Sequence, residues 1–264
     1  MIKSLYTTAT GMKAQQTMVD TIANNIANVN TAGFKRAQVS SQDLLYVTLK
    51  TPGLERDASG TASPIGVQIG SGAQLAGTSK IYTNGVLEVT NRPLDIAIEG
   101  DGFFQVLLPD GAIGYTRDGH LHRNAEGRLV TGSGEVIQPE INIPADALEI
   151  NIDAEGRVSG RTFGNPDTTV SFGQLNLVRF VNPSGLLAIG GNILRQTDAS
   201  GPPTIAQPGS NGIGTLKQGF IERSNVEIVN ELVNLIVAQR AYEVNSRAIQ
   251  ASDQMLSTAT SVIR

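Results

Sequence analysis

The chain has 264 residues, enough for one large domain or two modest ones. Its net charge of −4 and its 17% of charged residues exclude the basic surface that nucleic-acid binding requires. It contains no cysteine, which excludes disulfides and thiolate metal sites. No apolar run approaches the ~18 residues of a membrane span. A cleaved secretory signal is not expected, because the N-terminus lacks an apolar core.

Residues 1–33 are predicted to form a helix that ends at Gly33, since glycine adopts the left-handed conformation that terminates helices. Apolar side chains follow a heptad pattern along it: Leu5, Met12, Val19, Ile22, Ile26 and Val29. Its polar face carries amides instead of charges: Asn24, Asn25, Asn28 and Asn30. Because amides both donate and accept hydrogen bonds, we expect this face to meet other protein and to fix the register of that contact.

Residues 36–68 are predicted to be a linker or an insertion, because turn-forming residues concentrate there. The residues that mark this segment are Tyr46, Pro52, Gly53 and Pro64.

Residues 69–223 are predicted to form an all-β domain. Short apolar runs alternate with turn signals every eight to twelve residues or so, which is typical of a sandwich or barrel. The strongest hairpin signal is Asn84-Gly85 between two β-like runs. Further turn signals are Pro109-Asp110-Gly111, Asp118-Gly119, Glu126-Gly127, Gly132-Ser133-Gly134 and Glu155-Gly156.

Residues 224–264 are predicted to form a second, longer helix that Ser224 and Glu227 begin as a capping box. Apolar residues recur every seven positions, with Leu232 beside them: Ile228, Leu235, Tyr242, Ile249, Leu256 and Ile263. A second apolar row covers the first half: Val226, Val229, Val233 and Ile236. The helices at both ends are therefore predicted to pair with each other and with other copies of the chain. The alternative is an intramolecular helical hairpin beside a β-domain that acts as a binding module.

No catalytic, cofactor or metal site emerges from the residue types and their spacing. His120 and His122 would lie on one strand face, but no third metal ligand has a suitable spacing. The calcium-loop-like stretch from Asn151 has Thr162 where a glutamate is required. A phosphate loop at Gly72 lacks its lysine. We therefore expect an α+β structural protein with no cofactor, and not an enzyme.

Three separated motifs resemble those of the bacterial flagellar rod and hook protein family. They are NNIANVNTAGFK at residues 24–35, DIAIEGDGFFQV at 95–106, and SNVE, ELV, QRAYE and DQML between residues 224 and 256. The resemblance implies an inner layer built from both terminal helices, residues 1–35 and 224–264, and an outer β-domain. Within the family the chain is most similar to distal rod subunits, with proximal rod subunits as the alternative.

The resemblance also implies a function and partners. Subunits of this family polymerise into a hollow, rigid shaft in the flagellar basal body, which crosses the periplasm and transmits torque from motor to hook. The implied partners are other copies of the chain, proximal rod and hook proteins, the P- and L-ring proteins, and the flagellar type III export apparatus. The segment between residues 46 and 68 is expected to bridge subunits and to stiffen the shaft. No nucleic acid and no membrane insertion are expected.

Overall fold

The computed structural model describes residues 2–51 and 65–262. Two long helices lie at the ends of the chain and a β-rich region lies between them, so the predicted α+β class is confirmed. The chain divides into two compact units. The first contains residues 1–26, 37–79 and 228–264, and the second contains residues 27–36 and 80–227. Residues 37–51 and 65–79, assigned from the sequence to the linker and the edge of the β-domain, thus group with the helices.

The N-terminal helix, α1, spans Ile2–Ala27 and is shorter than predicted. The chain turns directly after it, because the Thr31 N–H and hydroxyl donate to the carbonyl and side-chain oxygens of Asn28. Gly33 does have a positive φ of 66°, but it lies beyond the helix and its N–H donates to the carbonyl of Glu222. The prediction that Gly33 ends the helix was therefore wrong.

The C-terminal helix, α2, spans Ile228–Val262, about 52 Å at 1.5 Å per residue. The predicted capping box is wrong, because α2 begins four residues after Ser224. The Ser224 hydroxyl instead accepts a bond from the N–H of Val226, forming a local turn before the helix.

In the described part of the first unit, four strands accompany the helices: β1 (Ala37–Asp43), β2 (Tyr46–Lys50), β3 (Val67–Gly70) and β4 (Ala73–Lys80). β1 pairs with β4. β2 and β3 form an antiparallel hairpin in which Val47 lies opposite Ile69. The Leu44 N–H donates to the Gly72 carbonyl at 2.8 Å, so the backbone enters and leaves this hairpin at one place.

The second unit contains the remaining strands. They are β5 (Leu87–Val89), β6 (Ile96–Glu99), β7 (Phe104–Leu107), β8 (Ile113–Thr116), β9 (His122–Arg123), β10 (Leu129–Val130), β11 (Val136–Gln138), β12 (Ala147–Ile152), β13 (Arg157–Thr162), β14 (Asn165–Gln174), β15 (Leu177–Arg179), β16 (Leu187–Gly190), β17 (Ile193–Arg195), β18 (Thr204–Ala206), β19 (Thr215–Gln218) and β20 (Phe220–Glu222). A 3₁₀ turn covers Pro183–Gly185.

In the described residues of this unit, the largest sheet has the order β16-β17-β8-β7-β11-β10-β9. A second sheet has the order β12-β13-β14, and β15–β18, β19–β6 and β20–β5 form pairs. Fully buried side chains such as Ile96, Phe104 and Leu121 form the main core. Beside it, Phe180 meets Phe103 and Tyr115 edge to face. Each large side chain buried in these clusters contributes about 1.5–3 kcal/mol.

Several turn predictions are confirmed, and the strongest is wrong. Pro109-Asp110-Gly111 joins β7 to β8, and Glu155-Gly156 joins β12 to β13. Asn84-Gly85 forms no hairpin, because β5, which follows it, pairs with β20 far along the chain. The polar groups of Asn84 and Gly85 bind a buried ionic cluster instead.

Candidate assembly surfaces

α1 and α2 pack antiparallel in a constant register within the first unit. The hydroxyls of Ser4 and Ser252 lie 3.4 Å apart, and the Asn25 amide donates to the Glu231 carboxylate at 3.2 Å. Between them, a Cβ added to Gly11 would lie 3.2 Å from Nδ2 of Asn245, so glycine allows close approach there. Steps of seven and fourteen residues along α1 match equal steps backwards along α2.

The covered faces of the two helices define what we call the seam. Its buried side chains are small or polar in most places: Ala14, Ile22 and Asn25 on α1, and Glu231, Ala238 and Ser252 on α2. Leu235, Ile249 and Leu256 lie half-buried beside it. Large apolar residues therefore cover its margin, and small ones let the backbones approach at its centre.

The predicted apolar rows divide between covered and open positions. On α1, Ile22 is buried and Leu5, Met12, Val19 and Ile26 are half-buried; Val29 follows the helix and is also half-buried. On α2, Ile228, Leu232 and Tyr242 are exposed, whereas Leu235, Ile249 and Leu256 are half-buried. Ile263 lies outside the described residues. That these side chains contact other copies stays a prediction.

An apolar row covers the face of α2 opposite the seam, and we call it the outer stripe. Its members are Val229, Leu232, Val233, Ile236, Val237 and Val244, all exposed. At about 100° per residue, Val229 and Ile236 point to the side opposite Ala238. Val229 is 73% and Ile236 57% exposed. A row of this size on one helix face is typical of a protein–protein contact.

The β2–β3 hairpin has one apolar face as well. Exposed side chains on it are Leu45, Val47, Leu49, Val67 and Ile69, and Leu45 is 88% exposed. Tyr46 lies on the other face, where its ring covers Gly70 of the paired strand. Two strands alone are marginally stable in water, so a covering partner would stabilise this face. Pro52, Gly53 and Pro64, which the sequence singled out here, lie outside the described residues.

The four predicted register-fixing amides have different surroundings. Asn25 is buried in the seam, whereas Asn24 is exposed. Asn28 binds Thr31, and the Asn30 side chain accepts a bond from Arg223 at 2.7 Å. Asn25 contacts Glu231 across the seam. A role for any of these four amides between subunits stays a prediction.

A buried ionic cluster lies in the second unit. The Glu222 carboxylate binds Lys35 Nζ at 2.6 Å, the Arg117 guanidinium, and the Gly85 N–H at 2.8 Å. Arg117 also donates to the side chain of Asn84 and to two backbone carbonyls. Burial alone would raise the pKa of Glu222, but Arg117 and Lys35 hold that pKa below its usual value. The ion pair between Lys35 and Glu222 therefore holds the segment of residues 27–36 against β20.

Asn225 joins three segments of the second unit. Its side-chain oxygen accepts from the Arg36 N–H at 2.8 Å, and its amide donates to the Ile81 carbonyl at 2.8 Å. The Ile81 N–H donates in turn to the Arg36 carbonyl. These bonds close a small ring where the chain passes between the two units.

The histidine pair meets a guanidinium. Arg92 lies 2.6 Å from Nε2 of His120 and 3.4 Å from Nδ1 of His122. Asp95 is fully buried behind His120, at 3.5 Å. Among the described residues, no group of three or more His, Cys, Asp or Glu is placed to hold a metal ion. Within the same residues, no helix combines the length and apolarity needed to cross a membrane.

Sequence reasoning missed the ionic cluster and the serine, glycine and asparagine contacts of the seam. Lys35, Arg117 and Glu222 are far apart in the chain, and no spacing connects them. Ser4, Gly11, Asn245 and Ser252 have the composition of a solvated face. The seven-residue spacing of these small residues was the signal that could have revealed the seam.

Comparisons with known proteins match the whole chain. The family models "Flagella basal body rod protein", "Flagellar hook protein FlgE/F/G D1 domain" and "Flagellar basal body rod FlgEFG protein C-terminal" match residues 5–35, 97–160 and 217–262. The flagellar basal-body rod protein FlgG of Buchnera aphidicola subsp. Schizaphis graminum is 49% identical, over 97% of this chain and 98% of its own length. FlgG of Borreliella burgdorferi is 45% identical over the full length of both chains, and FlgG of Bacillus subtilis is 39% identical over 97% of both. The chain belongs to the FlgG family of flagellar basal-body rod proteins.

Proposed function

We propose that this chain is the repeating structural subunit of the flagellar distal rod, without enzymatic activity. It polymerises through its terminal helices into a hollow, rigid helical shaft that transmits torque from motor to hook. Proximal rod and hook proteins adjoin this shaft, the P- and L-rings surround it, and the type III apparatus exports its subunits. The terminal helices, within residues 1–35 and 224–264, form the inner assembly domain together with residues 69–79, and the rest of residues 69–223 forms the outer one. Family membership supports the assignment to the rod. The exposed outer stripe is the observation that supports polymerisation.

The outer stripe supports polymerisation because α2 is already paired with α1 on its other face. Burying one Val, Leu or Ile side chain contributes about 1.5–3 kcal/mol, and the stripe contains six of them. A second copy is the occupant that fits, because every copy carries the same stripe and neutral apolar surfaces need no charge complement. Contacts of this kind that do not close on themselves generate open helical assemblies.

Replacing Ile236 by aspartate is expected to prevent polymerisation while the monomer keeps its helix pair. The new carboxylate would have to be buried in the contact between copies, whereas in the monomer it stays in water. Sedimentation and electron microscopy measure assembly, and circular dichroism measures helix content. Gln250→Asp adds the same charge at an exposed polar position of α2 and should assemble normally. Filaments of unchanged length in Ile236→Asp would refute the role of the stripe.

The β2–β3 hairpin is expected to stiffen the shaft, because a neighbouring copy of the chain would cover the apolar face of the hairpin. Because the backbone closes between Leu44 and Gly72, residues 45–71 can be excised as a unit with a short linker. We expect the shortened chain to assemble into shafts that bend more, as measured by their curvature in electron micrographs. Removing residues 46–63 alone would leave β3 without its partner.

A milder variant separates this effect from the loss of chain length. Val47→Thr with Ile69→Thr keeps β-branched shapes on the apolar face and weakens its burial. Thr48→Ser on the opposite face is the matched control. Shafts as straight as those of the parent, in both the excised and the Val47/Ile69 variants, would show that the hairpin does not stiffen them.

A further inference from the structure

Asn25 connects three elements of the first unit. Its side-chain oxygen accepts from the Ala37 N–H at 2.9 Å, and its amide donates to the Ala37 carbonyl at 2.9 Å. The same amide group donates to Glu231 on α2 at 3.2 Å. Asn25 and Glu231 are each 1% exposed. The pair of hydrogen bonds to Ala37 fixes the Asn25 amide, so its remaining donor has a defined direction toward α2.

The other contacts along the seam tolerate a shift. If α2 moved by seven residues so that Ser4 faced Asn245, Gly11 would face Ala238, which is a pairing of two small residues. The first turn of α2 behaves differently, because Glu231 would then face Met18. Its carboxylate would lose the hydrogen bond from Asn25 and lie against a thioether, and losing a hydrogen bond to a buried charged group is unfavourable.

We propose that the Asn25–Glu231 pair sets the register in which α1 and α2 pack. Small residues elsewhere in the seam permit close approach, and this buried polar contact selects one alignment among those that differ by a heptad. Polar residues at one position of a heptad seam are known to specify register in this way, at some cost in stability. The role concerns the pairing of the two helices within one chain.

The absence of cysteine from the chain permits a direct test by cross-linking in the full chain. Ser4→Cys with Ser252→Cys reports the observed register, and Ser4→Cys with Asn245→Cys reports the shifted one. The two registers differ by about 10 Å along the helix, whereas a disulfide needs Cα atoms within about 7 Å. We expect mild oxidation of the parent chain to cross-link the first pair and leave the second open, as read by non-reducing electrophoresis.

Glu231→Leu should change this selectivity without unfolding the helices. Leucine is apolar and suits either register, so the preference for the first pair over the second should fall by roughly 10-fold or more. Helix content should persist, because the substitution leaves only a neutral amide donor of Asn25 without its acceptor, which costs less than an unpaired buried charge. Glu231→Gln keeps an acceptor for the Asn25 amide and should restore selectivity.

Asn234→Leu is the matched control, since it adds the same side chain at an exposed amide of α2. Selectivity there should equal that of the parent. A parent chain that fails to form the Ser4–Ser252 cross-link, or a Glu231→Leu variant with undiminished selectivity, would overturn the proposal. Loss of selectivity in Asn234→Leu as well would also overturn it, because any added leucine would then have the same effect.

Discussion

Leu235→Asp is expected to abolish assembly and to separate the two helices of the monomer, while the second unit stays folded. Leu235 lies half-buried beside Glu231 and Ala238, so the substitution removes apolar burial and puts a charge at the margin of the seam. Together these effects cost at least about 2 kcal/mol. Circular dichroism should show lost helix in the monomer, and a strain carrying only this variant should lack rods and motility.

A substitution at the next residue of α2 separates the effects of its two faces. Ile236→Asp places the same charge one residue later, on the outer stripe, and should block assembly without loss of monomer helix. The two variants should therefore share a motility defect and differ in helix content. Normal rods in the Leu235→Asp strain would contradict the assembly role of the terminal helices, and equal helix content in both variants would contradict the division of α2 into two faces.

Glu222→Gln is expected to destabilise the second unit by about 3–5 kcal/mol at neutral pH, the cost of leaving buried cations without their counter-charge. Chemical unfolding followed by tyrosine signals would measure this change. Because the pKa of Glu222 is lowered in the folded state, its contribution is complete above the unfolded value of about 4.3 and is lost as the pH falls through the lowered folded value. The difference between parent and variant should therefore shrink below pH 4.

The nearby pair of Glu88 and Arg223 provides a control on the same sheet. Its atoms lie 3.4 Å apart, but both side chains are about half exposed. Glu88→Gln should cost no more than about 1 kcal/mol, because solvent screens such pairs. If Glu222→Gln were equally mild, or if its effect were constant with pH, the buried cluster would not stabilise the second unit as an ion pair.

The sequence predicted the helices well because their apolar periodicity is a local property. It did not predict which face each residue covers, since Leu235 and Ile236 are both simply apolar. Only the folded chain shows that the first belongs to the seam and the second to the open side. The apolar periodicity did not reveal Ser4, Gly11 and Ser252, because these small residues allow the helices to approach closely and add little apolar burial.

In the β-domain, predictions of turns from local sequence have the same limit. Pro109-Asp110-Gly111 formed the expected hairpin because both flanking strands pair locally. Asn84-Gly85 did not, because β5, the strand that follows it, pairs with β20, more than a hundred residues away. The asparagine oxygen and the glycine N–H are used to satisfy Arg117 and Glu222 instead. Contacts at such sequence separations cannot be read from a local pattern.

The ring of hydrogen bonds around Asn225 has a mechanical consequence. Arg36, Ile81 and Asn225 lie at three places where the backbone passes between the units, and their bonds tie these passages side by side. A tensile force that reaches one backbone segment is shared with its two neighbours before any of them yields. Three backbone segments that are bonded to one another resist twisting better than three segments that can slide independently. The side chain of Asn225 therefore couples three backbone segments that the chain order alone leaves separate.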